Sequence, residues 1–472
     1  MSPRARACTC AALAALGVVI VAALAWPFTI DDAFVTARYA ERLARGQGYT
    51  MNDGPPTDGV TGPLALVPEV VAASLGASPV AAGKLTGVAA TALALALLAW
   101  TCARRSGVEA AMFVVIVTLR PTLGIWSAGG LETGLATLAI AASAVAAGAG
   151  DRQPWLLFMS CACVPWLRPE LVPVALTLAL VSGARRSGIA GVALGLATVI
   201  VFRLVLFGSP LPLAAHAKPA ELALGAEHVL RALFVVLGLG AIPLGLALRG
   251  GSGRAPAIAA LAGALCVVAA GGDWMPGFRL FAPLIPLFAL AMARALADLW
   301  EHGRRAWAAI LVAMSIAIPI ADLAAEVPAA RQSGLARERA GAPLADWLRE
   351  HTERVALVDV GYLGYRSGRT VIDLGGITDP QVARLPGGHA GKLVDPGWLA
   401  ARAPDAIVLH STIPPIVDSQ GRLQVFSGHP VERRVASMGW VRARMRVARA
   451  DRYAEGYWYV TLVPREAPPG GS

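Results

Sequence analysis

Charged side chains are scarce in this sequence, and that scarcity is the first constraint on its class. Only 15% of the residues are charged, whereas 56% are hydrophobic. Such a composition is typical of a polytopic membrane protein with a soluble part attached. The formal charge of +10 raises the question of nucleic-acid binding. However, many arginines stand in pairs between apolar runs, which is the distribution that membrane topology produces, so we expect no nucleic-acid partner.

Cysteine pairs and phosphate-binding loops are also missing where soluble proteins would use them. The six cysteines lie in or beside apolar segments and none lies in the polar C-terminal third, so neither a disulfide framework nor a zinc site is indicated. No glycine-rich loop opens a soluble Rossmann-like domain. We therefore expect no cofactor and no essential metal, although adjacent aspartates are able to hold a divalent cation.

What the chain has in abundance is apolar stretches of membrane-crossing length. A spanning helix needs about 20 mainly apolar residues, and on that basis the sequence predicts about eleven spans. They lie near 9–28, 80–101, 109–125, 130–148, 154–167, 169–183, 188–207, 229–248, 255–271, 281–298 and 306–323. The first is interpreted as an uncleaved span, because its apolar run is longer than that of a usual signal peptide. The stretch 64–75 is too short to span and is predicted to be interfacial or re-entrant.

The basic residues between these spans predict the orientation. With a cytoplasmic N-terminus, the arginine pairs 104–105, 185–186 and 304–305 all fall in inner loops of the plasma (inner) membrane, as the positive-inside rule expects. The isolated acids then fall outside, and an odd number of spans places the polar C-terminal part outside as well. We therefore predict a multi-span α-helical domain over 1–336 and a small extracytoplasmic α/β domain over 337–472. Its strands are expected near 355–358, 370–374, 406–409 and 457–463.

Two adjacent carboxylates, Asp31 and Asp32, directly follow the first span. Charges near lipid are costly, so a pair at the membrane boundary is more often functional than incidental. Residues 33–45 are predicted to be a helix, with Glu41 and Arg45 spaced as an i,i+4 pair. The structural alternative is that one aspartate caps this helix. The second carboxylate would then remain free at its N-terminus.

The segments around these carboxylates form a recognisable series. The first outer loop (29–63) carries Asp31-Asp32-Ala33-Phe34, Ala37-Arg38-Tyr39-Ala40 and, at its end, Gly59-Val60-Thr61-Gly62-Pro63-Leu64. Later segments are Trp166-Leu167-Arg168-Pro169-Glu170, Gly271-Gly272-Asp273-Trp274 with Arg279, and Asp373-Leu374-Gly375-Gly376-Ile377-Thr378-Asp379-Pro380. In order and spacing they resemble the bacterial GT-C glycosyltransferases, and most closely their arabinofuranosyltransferase-like branch.

This resemblance implies inverting transfer of a sugar from a polyprenyl-phosphate carrier to a cell-envelope glycan, lipid or protein at the outer membrane face. On that chemistry Asp31 or Asp32 is the general base for the acceptor hydroxyl. A fixed cation would stabilise the departing phosphate, and the candidates are Arg279, Arg168, Lys84, His216 and Lys218. The candidates for holding the acceptor or the sugar are Glu132, Glu170, Asp273 and Trp274. The sugar, the acceptor and the linkage stay open.

Each candidate also has a structural alternative. Arg279 and Arg168 are suited to anchoring helix ends, Lys84 to snorkelling, Asp273 to pairing with Arg279, and Glu132 to a helix start. His216 and Lys218 fit a solvated loop. Tyr362, Tyr365 and the run 373–379 suit turn and packing roles as well as acceptor binding.

Two other functions compete with the enzyme. A transporter or flippase for a lipid-linked glycan would carry charges inside its spans and symmetry between two halves, and neither is evident here. A non-catalytic envelope assembly protein would still function after the first-loop carboxylates are neutralised.

Overall fold

The computed structural model describes residues 2–273, 275–417, 423–424, 429–454 and 456–465, so the predicted sugar-binding Trp274 lies outside the described residues. The first three-quarters of the chain consists of helices and loops. The helices are α1 (Pro3–Leu24), α2 (Asp31–Ala44), α3 (Leu66–Ser74), α4 (Pro79–Arg105), α5 (Gly107–Thr118), α6 (Pro121–Ser127), α7 (Thr133–Gly148), α8 (Pro154–Leu167), α9 (Val172–Val181), α10 (Arg185–Phe207), α11 (Leu213–Ala217), α12 (Leu222–Leu237), α13 (Ala241–Arg249), α14 (Arg254–Ala269), α15 (Ile285–Glu301) and α16 (Arg305–His351).

Among the described residues, five helical segments are long and apolar enough to cross a membrane: α1, α4, α10, α16, and α15 with the 3-10 turn before it. The pairs α5–α6 and α12–α13 are bent by 64° and 97°, and they raise the number to seven if each forms one span. The other predicted spans correspond to α7, α8, α9 and α14, which at 1.5 Å per residue fall short of a bilayer core of about 30 Å. The architecture is compatible with a membrane protein of five to seven candidate spans.

The C-terminal part contains a five-stranded mixed sheet. Its elements are β1 (Arg354–Leu357), α17 (Tyr362–Ser367), β2 (Thr370–Asp373), α18 (Pro380–Ala383), α19 (Pro396–Ala401), β3 (Ala406–Ser411), β4 (Ile416–Val417), β5 (Leu423–Gln424), α20 (Pro430–Ser437), α21 (Gly439–Arg444), β6 (Met445–Ala454) and β7 (Tyr457–Pro464). The order is β2-β1-β3-β7-β6, with β2, β1 and β3 parallel and β7 and β6 antiparallel, while β4 and β5 pair separately. All four predicted strands are present. The edge strand β6, which is rich in arginine, and the short strands β4 and β5 were not predicted.

The alternation of side chains along the central strands explains how this sheet is held. Successive residues of a strand point to opposite faces. On β1, Val355 and Leu357 belong to a core shared with Val35 of α2 and Leu344 of α16. The intervening Ala356 and its equivalents on β3 belong to a second core under α19 and α20. One face of the sheet therefore packs on its own helices and the other on α2 and α16.

The helix α16 joins the bundle to the sheet without a break. It runs for 47 residues across the predicted domain boundary at 336/337 and contains three internal prolines. Proline lacks the N–H that would bond the carbonyl four residues earlier. At Pro319 that carbonyl belongs to Ser315, and both terminal nitrogens of Arg120 donate to it at 3.1 Å. The freed carbonyl is thus satisfied from a neighbouring helix.

The helical bundle has two polar ends. At the end where α1 begins and α4 finishes, Arg6 donates to the Ala103 carbonyl at 2.9 Å and Arg294 pairs with Glu109 at 3.2 Å. The end where α1 finishes and α4 begins contacts the sheet, and we call it the sheet end. The predicted site residues gather there.

Candidate functional site

The N-terminus of α2 carries the two adjacent aspartates at the sheet end. Ile30 is the N-cap residue, and Asp31 and Asp32 are the first two residues of the helix. Among the described residues no side chain caps this helix, so the capping alternative is wrong for both aspartates. Carboxylates in a first turn are still favoured by the helix dipole. Because successive helical residues are about 100° apart, the two carboxylates point in different directions.

Asp32 faces the bundle and approaches Arg279. Its Oδ2 lies 3.7 Å from Nη1 of Arg279, whose Nε lies 3.0 Å from Oδ2 of Asp273. Asp273 also accepts a hydrogen bond from the Met275 N–H at 3.2 Å, and its side chain is only 2% exposed. Asp273 therefore holds Arg279, as its structural alternative expected, and has no oxygen open to a sugar. In the described ranges the terminal nitrogens of Arg279 make no hydrogen bond, so they remain available.

Arg168 is buried too deeply for the predicted contact with a donor phosphate. Its Nε is 2.9 Å from Glu132, its Nη1 is 3.5 Å from Glu170, and its Nη2 donates to Thr133 at 3.1 Å. The residue is 1% exposed. The arginine-proline-acid turn thus forms a buried ion cluster. Glu132 and Glu170 are committed to that cluster rather than presented to an acceptor.

Lys84 also differs from its predicted role. Its Nζ donates to the Trp26 carbonyl at 2.5 Å, the Phe28 carbonyl at 2.8 Å and the Thr29 hydroxyl at 2.9 Å. An ammonium has three donors, so all of them are occupied. Lys84 holds the segment that leads from α1 to Asp32 and leaves no donor for a phosphate.

His216 lies in the last turn of α11 and Lys218 is the C-cap residue of this helix, which contacts α18 at the rim of the sheet domain. His216 lines a narrow recess with Asp58 and Arg384. Lys218 is an electrostatic neighbour of His389: burial and then the Lys218 charge lower the pKa of this histidine, while Asp32 acts on it in the opposite sense. His389 was not singled out from the sequence because it stands in a Gly-rich turn. The sheet brings it near Asp32.

Asp31 faces the sheet and not the bundle. Its Oδ2 accepts the N–H of Gly361 and its Oδ1 the N–H of Tyr362, each at 2.8 Å. These N–H groups lie at the start of α17, directly after β1. Burial, and next the charge of Asp359, raise the pKa of Asp31 to about 6. Arg337 of α16 donates to the Thr29 carbonyl, two residues before Asp31.

A histidine held between two carboxylates contacts the loop that binds Asp31. His410 places Nδ1 2.8 Å from Glu432 and Nε2 3.1 Å from Asp359. Although burial opposes it, the two carboxylates raise the pKa of His410 well above its ordinary value. Burial likewise acts to raise the pKa of Asp359, but His410 lowers it below its ordinary value. The cluster is therefore a histidine between two carboxylates that favour its protonated form, at the carboxyl ends of β1 and β3.

The first loop is also tied to α10 by a buried ion pair. Arg203 lies 3.1 Å from Asp58 and donates to the Thr61 carbonyl at 2.6 Å. Burial raises the pKa of Asp58 to about 6, even though Arg203 acts to lower it. A signal for this pair existed in the sequence, because Arg203 is a lone charge in an apolar run and such charges need partners.

The aromatic and acidic residues suggested for acceptor binding in the sheet domain take their structural alternatives. Tyr362 is 4% exposed and packs edge-on against Phe34 with ring centroids 4.9 Å apart. Tyr365 donates to Glu41 at 2.6 Å, and Glu41 also makes the predicted pair with Arg45 at 3.2 Å. Asp373 accepts three backbone N–H bonds of its own turn. In the part of the chain that the structure describes, no three His, Cys, Asp or Glu residues are grouped to hold a metal.

The comparisons with known proteins concern mainly the sheet. Residues 330–461 match the profile of a Domain of unknown function (DUF8728). The match starts inside α16 and stops inside β7, so it includes Arg337, Asp359 and His410 but none of α1 to α15. No curated protein matches the chain. The contacts around α2 are therefore the main guide to function.

Proposed function

We propose that this protein is a membrane glycosyltransferase that moves a sugar from a polyprenyl-phosphate carrier to an acceptor of the cell envelope. The observation that carries the proposal is the meeting of Asp32 and Arg279 at the sheet end of the bundle, 3.7 Å apart. The reaction needs one carboxylate to accept a proton and one cation to meet the phosphate. The terminal nitrogens of Arg279 have capacity for that contact.

In the proposed reaction Asp32 is the general base. The acceptor hydroxyl attacks the anomeric carbon, and Asp32 takes its proton as the new glycosidic bond forms. The bond from the anomeric carbon to the phosphate oxygen breaks, its electron pair leaves with the polyprenyl phosphate, and the anomeric configuration inverts. Asp31 is not assigned this role, because both of its oxygens already accept backbone hydrogen bonds.

Arg279 is the leading candidate for the departing phosphate. Asp273 fixes it through Nε, which leaves the forked terminal nitrogens to bind phosphate oxygens, the geometry in which arginine recognises phosphate. Lys218 and His216 are the further candidates at the rim. Lys84 and Arg168 are not: the three donors of Lys84 are occupied, and Arg168 is buried beside Glu132 and Glu170.

The proposal includes eleven spans, a cytoplasmic N-terminus and an extracytoplasmic sheet. It is supported by the separation of charges between the two ends of the bundle. The predicted inner-loop Arg104 and Arg105 finish α4, whereas Asp32 and Arg279 meet at the sheet end. An acceptor outside the membrane and a lipid-linked donor in the bilayer would then meet at the membrane surface.

The test is transfer by the purified full-length protein in lipid nanodiscs. It would be given a panel of polyprenyl-phosphate pentoses and hexoses with envelope glycan acceptors, and release of polyprenyl phosphate would be followed with glycan elongation. We expect both products with one donor and neither with Asp32→Asn. The matched control is Asp53→Asn, since Asp53 belongs to the same loop but its side chain is 95% exposed. Donor movement across the bilayer without cleavage would instead support the transporter, and no turnover of any donor would contradict the proposal.

A further inference from the structure

Asp31 contacts the sheet domain, and the next residue in the chain is Asp32, the proposed base. The two oxygens of Asp31 accept the N–H groups of Gly361 and Tyr362, each at 2.8 Å. These bonds leave no room between the two segments: a Cβ atom on Gly361 would lie 2.0 Å from the Asp31 carbonyl oxygen. Only a residue without a side chain allows this approach. The position of the Asp31 backbone is thus set by the start of α17.

The segment before Asp31 is held from two further directions. Lys84 of α4 binds the Trp26 and Phe28 carbonyls from the bundle, and Arg337 of α16 binds the Thr29 carbonyl. At Gly334, one turn before Arg337, a Cβ atom would lie 2.0 Å from the Pro27 carbonyl oxygen. The chain entering α2 is therefore clamped on both sides, and the orientation of α2 determines where Asp32 points.

The loop that binds Asp31 is itself held by the histidine cluster. Asp359 lies two residues before Gly361, and His410 bonds it at 3.1 Å while Glu432 holds the opposite nitrogen of His410 at 2.8 Å. Glu432 is fully buried, and it also accepts the backbone N–H of His410 at 3.1 Å. A continuous series of contacts therefore runs from Glu432 through His410, Asp359 and the 359–361 loop to Asp31. We call it the positioning series.

We propose that the positioning series, through Asp31, holds Asp32 in the orientation that catalysis requires, so that the sheet domain is a structural part of the catalytic site. The inference rests on the proposed glycosyltransferase function. Asp31 is a positioning residue, since both of its oxygens already accept backbone N–H bonds. The charged and titratable groups around it are Asp32 on α2, Arg337 on α16, Asp359 after β1 and, further back, His410 on β3 and Tyr459 on β7.

The test compares Asp31→Asn with Asp32→Asn in the nanodisc transfer assay. A misplaced base costs turnover and not donor binding, so Asp31→Asn should lower kcat by about 10- to 100-fold while the donor KM stays within about twofold. His410→Gln should give a smaller loss of kcat, again with the donor KM within about twofold. General damage to the fold would instead weaken donor binding and raise this KM.

Tyr365→Phe is the matched control. It removes a hydrogen bond between α17 and α2 that lies outside the positioning series, and kcat should stay within about twofold of the wild-type value. An equal loss of kcat in Tyr365→Phe and Asp31→Asn, or an Asp31→Asn enzyme with wild-type kcat, overturns the inference.

Amide hydrogen exchange separates this inference from the proposed function. In Asp31→Asn, the amides of Gly361 and Tyr362 should exchange at least about tenfold faster than in the wild type, with remote helices unchanged. If the wild-type protein turns over no donor, the proposed function fails and exchange alone decides whether Asp31 holds the two segments. Unchanged protection in Asp31→Asn would then overturn the positioning series.

Discussion

The two faces of the α2 N-terminus differ in how far their polar groups are occupied. On the sheet face, both oxygens of Asp31 accept backbone N–H bonds and both nitrogens of His410 meet carboxylates. On the bundle face, Asp32 and Arg279 stand 3.7 Å apart, and in the described part of the chain the terminal nitrogens of Arg279 have no hydrogen-bond partner. Occupied groups fix geometry, whereas open groups have capacity for a ligand. Adjacent residues therefore serve different purposes.

The sheet face is also stabilised by an apolar core that α2 shares with α16 and the sheet. Val35 and Tyr39 of α2 are buried in one core with Leu344 and Leu348 of α16 and Leu357 of β1. Burying one such side chain is worth about 1.5–3 kcal/mol. Losing one polar contact should therefore leave the domain docked and alter only its local geometry. This is why isosteric substitutions on the two faces are informative.

The largest expected effect is on the bundle face, from Asp32→Asn. An amide has the shape of the carboxylate but cannot accept the acceptor proton, so kcat should fall about 10³-fold or more. Sugar transfer at saturating donor measures it, with Asp53→Asn as the exposed control from the same loop. Retention of more than a tenth of the activity would show that another residue is the base.

The next largest loss of activity is expected from replacing Arg279, the cation of the same face. Arg279→Gln removes the charge, and its kcat should fall about 10²- to 10³-fold. Arg279→Lys keeps the charge but loses the forked geometry, so it should recover part of that loss. Arg168→Gln is no control for this step, because Arg168 is buried between Glu132 and Glu170 and its loss would unbalance that cluster. Equal activity of Arg279→Gln and the wild type would remove Arg279 from the site.

Most residues of the bundle face were predictable as site candidates, because they stand in local motifs and follow the charge distribution along the chain. Asp32, Asp273 and Arg279 stand in recognisable segments, and orientation rules place those segments at one end. The roles within the set were not predictable. Whether an arginine faces a ligand or a carboxylate depends on distances of a few ångströms, and the structure commits Arg168 to Glu132 at 2.9 Å.

The strands of the sheet domain were predictable from the sequence, but the surface by which this domain contacts α2 was not. Short continuous apolar runs identify β1 and β3. Nothing local marks His410 and Glu432 as partners, since they come from a strand and from a later helix. The role of Asp31 was missed for the same reason. Backbone N–H groups donate to any carboxylate of suitable geometry, so no residue type near Gly361 signals the contact.

A smaller effect is expected from filling the space between Gly361 of the sheet domain and Asp31 of α2. Gly361→Ala would place a Cβ atom 2.0 Å from the Asp31 carbonyl oxygen, which cannot be accommodated without moving α2 or α17. Such overpacking costs about 1–3 kcal/mol. The apparent Tm of the purified protein should fall, together with kcat. Gly439→Ala is the matched control, because a Cβ atom there meets nothing within 4 Å.

The smallest effect is a pH dependence that belongs to the sheet face alone. Burial and Asp359 raise the folded-state pKa of Asp31 to about 6, above the ordinary value of 3.8. As the pH falls from 7 to 4, the folded protein therefore takes up this proton before the unfolded chain does, and the Asp31 contribution to stability increases. Relative to Asp31→Asn, the wild type should gain at most about 2 kcal/mol over that range, seen as a growing difference in apparent Tm. A difference that is flat, or that shrinks on acidification, would mean that Asp31 is ionised in the folded protein as readily as in water. Its carboxylate would then be solvated and not buried against the sheet, and the contrast between the two faces would disappear.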